Sequence, residues 1–253
     1  RYPLLVKKSA GTHLLEPLGQ IAWGWRDQAK VSNDESSHPE FDMGNLMAIS
    51  RFAASDRFED GGHGAYGLRY SHETVKKYRF DLGLGKVLRL DSHYGFTDSS
   101  GLKDRQSENY ITGILTLPQN SYVSFQGLMD GKLRSKKSAL IGSLDFKTFN
   151  IDAEYSYLQP DLMEYRNEPV EEWTISNNLK LSKNWSFASN LRFDETENHL
   201  ALLGAGLKYE NQCVLLNLEM DRRYSQEGTS PPTTNFSFAI SLKGFSTSRV
   251  TSV

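Results

Sequence analysis

The chain has 253 residues, a formal net charge of −2 and a hydrophobic fraction of 38%, and its mean hydropathy is −0.53. No stretch approaches the ~18 consecutive apolar residues of a transmembrane helix, and the balanced charge argues against a nucleic-acid-binding protein, which needs a basic surface. A membrane-spanning β-barrel passes both tests, because every second residue of its strands faces the lumen and can be polar. The 12 Tyr, 13 Phe and 4 Trp residues would supply the aromatic girdles of such a barrel.

Strands are predicted along most of the chain by alternation of apolar and polar residues, the pattern of a β-strand with two different faces. Segments of roughly ten residues, tilted by about 40°, would span the ~25 Å apolar band of an outer membrane. About twelve such segments occur, so we predict an all-β fold that forms a portion of an antiparallel transmembrane β-barrel. The predicted strands are 13–23, 63–71, 78–90, 109–117, 121–130, 136–146, 149–158, 171–182, 185–195, 199–209, 212–223 and 233–243.

The last predicted strand has the clearest alternation. Apolar side chains occupy every second position, at Phe236, Phe238, Ile240 and Leu242, and the residues between them are small or polar. We expect the four apolar side chains to face lipid and intervening residues such as Ser237 to face the lumen.

Long and short connections tend to alternate along the chain. The longest predicted connections are 24–62 and 91–108, whereas 147–148 and 183–184 are two-residue links. Outer-membrane barrels have short periplasmic turns and long extracellular loops, and a soluble β-sandwich has no reason to sort its connections in this way. One short polar link, 196–198, falls on the extracellular side and breaks the rule.

The connection 24–62 is too long to be a simple turn. We predict that it is extracellular and folds partly over or into the lumen. Its apolar residues Phe41, Leu46, Phe52 and Phe58 need burial against another part of the protein.

No combination of residues predicts an enzyme. Asp91-Ser92-His93 places three catalytic residue types side by side, but a nucleophile, base and orienting group must converge from separate positions. The run 82–86 contains two glycines but lies inside a strand pattern and lacks the helix of a phosphate-binding loop. We interpret Gly83 and Gly85 as relief of crowding on the lumen face or as a kink. The six His residues lack metal-binding spacing, so we predict no metal and no cofactor.

Charges of both signs occupy the predicted lumen face. Two interpretations are open: an ordinary solvated surface, or a wet lumen wide enough for a phosphorylated saccharide head group or a plug protein. The residues are Asp81, Arg89, Asp152, Glu154, Glu172, Lys180, Arg192, Asp194, Lys208, Glu219, Asp221 and Lys243.

Cys213 is the only cysteine. In an exported protein a single cysteine indicates either a pairing partner outside the chain or an inert thiol, and the residues leave both alternatives open. The chain starts at Arg1 without an initiator Met or a charged-then-apolar leader. For an exported protein we therefore expect that the mature chain starts here or that the true N-terminus is missing.

Several short motifs occur in a fixed order over most of the chain. They are Glu40–Leu46, Ser50–Phe52, Ser55–Gly61, Leu207–Cys213, Asp221–Tyr224, Pro231–Thr234 and Ser241–Gly244. Together they resemble the C-terminal half of the LPS-assembly protein LptD family, in its alphaproteobacterial form.

The resemblance implies an outer-membrane protein that transports lipopolysaccharide to the outer leaflet. Family members have a periplasmic jelly-roll domain that receives lipopolysaccharide from the bridge protein LptA, and a barrel of about twenty-six strands that holds the plug lipoprotein LptE. Residues 1–253 would be a single domain, the C-terminal portion of the barrel, without the N-terminal domain and the first barrel half. The family's gate between first and last strands would be represented only by the last strand.

The resemblance also implies a role for Cys213, because the family places a cysteine beside a short periplasmic turn and bonds it to the N-terminal periplasmic domain. Some members carry two adjacent cysteines, whereas this chain has Gln212-Cys213, which supports a single linkage only. The alternative function is a self-contained porin-like outer-membrane channel of about twelve strands.

Overall fold

The computed structural model describes residues 1–25, 41–52, 58–91, 95–224 and 231–243. It confirms the all-β prediction, since these residues form thirteen strands and a single 3₁₀ turn, Leu162–Glu164. The strands are β1 (Leu4–Lys8), β2 (Gly11–Gly24), β3 (Gly61–Thr74), β4 (Arg79–Arg89), β5 (Asn109–Thr116), β6 (Tyr122–Met129), β7 (Ser135–Asp145), β8 (Phe149–Leu158), β9 (Val170–Lys180), β10 (Trp185–Asp194), β11 (His199–Glu210), β12 (Val214–Arg223) and β13 (Thr233–Leu242).

The strands form one sheet in sequence order, from β1 to β13. The pairs from β1 to β6 and from β9 to β13 are antiparallel. Across the described residues, β1 pairs only with β2 and β13 pairs only with β12, so the sheet has two end strands and is not closed. No helix in the described part of the chain is long and apolar enough to cross a membrane.

Among the described residues, β1 is the one strand that the sequence pattern missed. Its residues Leu4, Leu5 and Val6 precede Lys7 and Lys8 without alternation, so the period-two test does not detect it. A tight link at residues 9–10 turns it back to pair with the start of β2. All five residues of β1 are exposed, which is typical of a short end strand.

The chain divides into two compact units. Unit 1 comprises Arg1–Gly142 and Tyr155–Glu171, and unit 2 comprises Ser143–Glu154 and Glu172–Val253. In each unit the sheet has an apolar face and a polar face, as the alternation predicts. The apolar face carries Leu68, Leu84 and Ile111 side by side in unit 1. In unit 2 it carries Phe187, Leu207, Leu218 and Phe238 side by side.

The hydrophobic core of unit 1 lies on the polar face. Register places one row of residues across β2 to β6: Leu18, Gly67, Gly85, Tyr110 and Leu128. The two glycines leave a gap in the middle of this row, and Leu46, from the connection between β2 and β3, fills it with a fully buried side chain. A Cβ at Gly67 or Gly85 would lie 2.8 or 2.6 Å from the Leu46 Cδ2 atom. Close approach of another chain segment therefore explains these glycines.

We predict that Gly85→Ala destabilises the folded protein by about 1–3 kcal/mol, because the new methyl group overlaps a leucine side chain that has no free space to move into. Gly113→Ala in the neighbouring strand β5 is the matched control, since a Cβ there meets nothing within 4 Å. The measurement is denaturant or thermal unfolding of both variants in the same detergent. Equal stabilities for the two variants would contradict the packing of Leu46 against the glycines.

Candidate functional site: the covered polar face and the end strand

Two connections cover the polar face of unit 1. The first covering segment comprises residues 41–52 and 58–60, and the second comprises 95–108. Phe41, Leu46 and Phe52 of the first segment are buried in the core cluster, which confirms that these residues pack against another part of the protein. Phe58 is 37% exposed, so its predicted burial is wrong. Its ring lies beside Gly24 at the end of β2 and does not belong to the core cluster.

The first covering segment folds through a local turn. Asp42 and Asn45 bond reciprocally: the Asp42 amide donates to Asn45 Oδ1 at 3.0 Å, and the Asn45 amide donates to Asp42 Oδ1 at 2.8 Å. Such side-chain to backbone bonds stabilise a turn without regular secondary structure. This turn presents Leu46 to the glycine gap and places Phe41 with its ring centroid 5.9 Å from that of Tyr110.

A buried charge network joins this segment to strand β4. Arg51 Nη1 lies 3.0 Å from Glu59 Oε1, and Arg89 Nε lies 3.0 Å from Glu59 Oε2, and all three side chains are inaccessible to solvent. Arg51 Nη2 also donates to the Leu46 carbonyl oxygen at 2.8 Å. Burial lowers the pKa of the Arg51 guanidinium, an effect that Glu59 opposes and Arg89 reinforces. We call Arg51, Glu59 and Arg89 the buried triad.

The buried triad reaches the second covering segment as well. Arg89 Nη1 donates to the Leu102 carbonyl oxygen at 3.0 Å, and the Arg89 amide donates to the Arg105 carbonyl oxygen at 2.7 Å. Residues of this segment run beside the end of β4, where Ser107 Oγ accepts a bond from the Val87 amide at 2.8 Å. Both covering segments are thus attached to the same end of one strand.

The connection between β8 and β9 holds the second covering segment from its outer side. The Ser99 amide donates to Asp161 Oδ2 at 2.7 Å, Thr97 Oγ1 donates to Glu164 Oε1 at 2.7 Å, and the Ser99 hydroxyl bonds to the same carboxylate. Arg166 Nη1 lies 3.0 Å from Glu164 Oε2. Burial raises the pKa of Glu164, but the bonds from Ser99, Thr97 and Arg166 outweigh this effect and lower the pKa overall. The carboxylate is therefore ionised and acts as an acceptor near neutral pH.

The polar face of unit 2 carries uncharged polar groups together with several ion pairs, two of which share the carboxylate of Glu210. A groove of about 250 Å³ on this face is lined by the amides Asn178 and Asn217, together with Lys208 and Glu219. Arg192 pairs with Glu172 at 3.5 Å across two strands. This face therefore presents hydrogen-bond donors and acceptors, and charges of both signs, to a molecule that binds there.

The end strand β13 places the four predicted apolar residues on the apolar face. Phe236, Phe238 and Ile240 stand opposite Met220, Leu218 and Leu216 of β12, and every residue of β13 is exposed.

A polar pair interrupts the apolar face of unit 2 between β9 and β10, where Asn177 Nδ2 donates to Ser189 Oγ at 2.6 Å. The bond gives each side chain one partner, which reduces the cost of their position.

Cys213 lies in the short connection between β11 and β12, and its thiol is exposed. Asn211 Oδ1 accepts bonds from the amides of Cys213 and Val214 at 2.8 and 2.7 Å, an arrangement that fixes the turn. The Lys243 amide donates to the Cys213 carbonyl oxygen at 2.8 Å. The backbone of Cys213 is therefore held in a defined place beside the end of β13.

Of the residues Asp91-Ser92-His93 that suggested catalysis, Ser92 and His93 lie outside the described residues. Among the residues that the structure describes, no group of three His, Cys, Asp or Glu side chains could hold a metal ion.

The buried triad was not foreseen from the sequence. Arg89 stands among the predicted lumen-facing charges, but Arg51 and Glu59 entered only as letters of the motifs. The only signal in the sequence was that Arg51 and Glu59 are charged residues next to apolar positions in one connection. That signal does not identify Arg89 of β4 as their partner.

The comparison with protein families gives one match. The model of the family LptD, described as LPS transport system D, matches residues 2–190, which is more than half of the chain. A search of curated proteins found no match. This description names a lipopolysaccharide transport system. The chain belongs to the LptD family.

Proposed function

We propose that this chain is the C-terminal barrel portion of an LptD translocon of the alphaproteobacterial type, which delivers lipopolysaccharide to the outer leaflet of the outer membrane of a Gram-negative cell. The family match over residues 2–190 is the observation that carries this proposal. The N-terminal periplasmic domain and the first half of the barrel would belong to the same polypeptide.

The two faces fit this role. The apolar face meets lipid and the polar face lines the lumen, as in other outer-membrane barrels. The short connections, such as the one that holds Cys213, lie in the periplasm, and the covering segments lie at the extracellular end. In unit 1 the covering segments occupy the lumen side of the strands, so passage of a large lipid along this part of the wall requires them to be displaced.

The partners follow from the same assignment. The polar face of unit 2 has exposed amides and charges of both signs that suit the plug lipoprotein LptE or the head group of lipopolysaccharide. The bridge protein LptA would dock on the N-terminal domain. The open sheet supports a barrel portion over a self-contained porin, because unpaired backbone groups at a strand edge are costly in lipid.

Depletion of the full-length protein tests the transport role. We expect less lipopolysaccharide on the cell surface, which labelling of intact cells measures. Lipopolysaccharide should accumulate on the inner side of the outer membrane. A plasmid copy of the full-length protein should restore the surface signal. Unchanged surface lipopolysaccharide after depletion would exclude this function.

The lipid-facing assignment of β13 predicts a contrast between neighbouring residues. Phe238→Arg should destabilise the membrane-inserted protein by about 2–4 kcal/mol, because the charge lies near the middle of the bilayer. Ser237→Arg is the control, since its side chain would enter the wet lumen at the same depth. Unfolding from lipid vesicles measures both, and equal penalties would contradict the assignment of the two faces.

A disulfide from Cys213 to the N-terminal periplasmic domain is the last element of the proposal. The thiol is exposed and the periplasm is oxidising, and no second cysteine exists in these 253 residues. Closing a loop of several hundred residues would stabilise the protein by about 5 kcal/mol in the chain-entropy model. The bond would also hold the lipid-delivering domain beneath the barrel.

Non-reducing electrophoresis of the full-length protein should show a mobility shift that reduction removes. Cys213→Ser should abolish the shift, whereas Ser182→Ala in another short connection should keep it. Free reaction of Cys213 with a maleimide in the mature protein would show that the disulfide does not form.

A further inference from the structure

A groove of about 400 Å³ lies on the apolar face of unit 1. It is lined by Tyr66 and Leu68 of β3, Leu84 of β4, Ile111 of β5 and Leu133 of the connection between β6 and β7. Register explains the shape, because Leu68, Leu84 and Ile111 stand side by side and form an apolar floor. An unbranched hydrocarbon chain fits a floor of this composition.

One charged side chain lines the groove. Lys86 stands on the apolar face directly opposite Tyr66, and no carboxylate in the described residues pairs with it. A lysine on the lipid side of a barrel is unfavourable unless it lies near the head groups or meets an anion. An apolar floor with a single ammonium group at one end is complementary to an acyl chain that carries an anionic head group.

Leu133 supports an occupied groove. Its φ is 61°, a left-handed conformation that is rare for a branched apolar residue, and its side chain is 71% exposed. The turn that holds it is fixed by Asp130 Oδ1, which accepts bonds from the Lys132 and Arg134 amides at 2.7 and 2.9 Å. Those bonds, with the Arg134 side chain, lower the pKa of Asp130 to about 2, so the turn stays intact at neutral pH. An exposed leucine is thus presented rigidly at the rim of the groove.

Lys86 lies toward the end of β4 that carries the covering segments. It lies one position beyond Gly85, the partner of Tyr110, and therefore level with Asn109, where β5 begins. The paired residue Met129 ends β6. The ends of β5 and β6 therefore lie at the level of Lys86, whereas β4 continues to Arg89 and β3 begins at Gly61.

We propose that this groove binds a membrane lipid with a phosphate head group, with the phosphate on Lys86 and an acyl chain between Leu68, Leu84 and Ile111 under Leu133. This inference rests on the proposed function for its orientation in the outer membrane. The site is on the outside of the sheet, away from the polar face and from the end strand, so it is separate from the proposed route through the lumen.

The test is lipid binding to the full-length protein in detergent, followed by native mass spectrometry with phosphatidylglycerol as the probe. Lys86→Met keeps the length of the side chain and removes its charge, and we expect about a tenfold weaker retention of the lipid, as for the loss of one charge-assisted hydrogen bond. Lys76→Met is the matched control, because Lys76 lies in the short connection between β3 and β4 at the other end of the strands. It should bind the probe as the unchanged protein does.

A second variant separates the acyl chain from the phosphate. Leu133→Gly suits the left-handed backbone and removes the apolar lip, so the fold should persist while both phosphatidylglycerol and diacylglycerol bind less tightly. Diacylglycerol should bind more weakly than phosphatidylglycerol to the unchanged protein. The two lipids should bind to Lys86→Met equally well. Unaltered phosphatidylglycerol binding by Lys86→Met, or displacement of the lipid by millimolar inorganic phosphate, would overturn the proposal.

Failure here is distinct from failure of the transport role. If surface lipopolysaccharide falls on depletion but Lys86→Met binds the probe normally, only the lipid groove is refuted. If the probe depends on Lys86 but depletion leaves surface lipopolysaccharide unchanged, only the transport function is refuted.

Discussion

The buried carboxylate of Glu59 between two guanidiniums is the interaction on which unit 1 depends. Arg51 and Glu59 belong to one covering segment, and Arg89 belongs to β4 and contacts the other. Removal of one partner from a buried charge network leaves an uncompensated charge and typically costs about 3–5 kcal/mol. A hydrophobic replacement of the whole network could be equally stable, so its physical effect is specificity: it admits one position of the covering segments on the sheet.

The glycine gap and the buried triad act together. The gap receives Leu46 by shape, and Arg51 holds the Leu46 carbonyl oxygen by a hydrogen bond. Apolar packing alone would tolerate a shifted segment, since it is not directional, whereas the hydrogen bonds require defined angles and distances. In the proposed translocon, a cover at the extracellular end that opens for a large lipid needs one closed position and polar contacts that water can replace.

The sequence predicted the sheet better than its cover. Alternation located twelve of the thirteen strands to within a few residues, because a two-sided sheet imposes period two on every strand. β1 escaped, since five residues without alternation give no such signal. Burial of Phe41, Leu46 and Phe52 followed from their apolar character in a long connection, but Phe58 shows that apolar character alone does not decide which side chain is covered. The partners of Glu59 lie 8 and 30 positions away, and no periodicity reports a contact made only in three dimensions.

The same limit applies to the glycines and to Lys86. Gly83 and Gly85 looked like relief of crowding or a kink, and the reason became evident only with Met43 and Leu46 placed over them. Lys86 follows them in the strand and breaks its alternation by placing a charge on the apolar face. In a β-strand such a break is informative, because the alternation reflects the environment on each side of the sheet. A residue that violates the pattern and is not paired within the fold identifies where that side of the sheet meets something other than hydrocarbon.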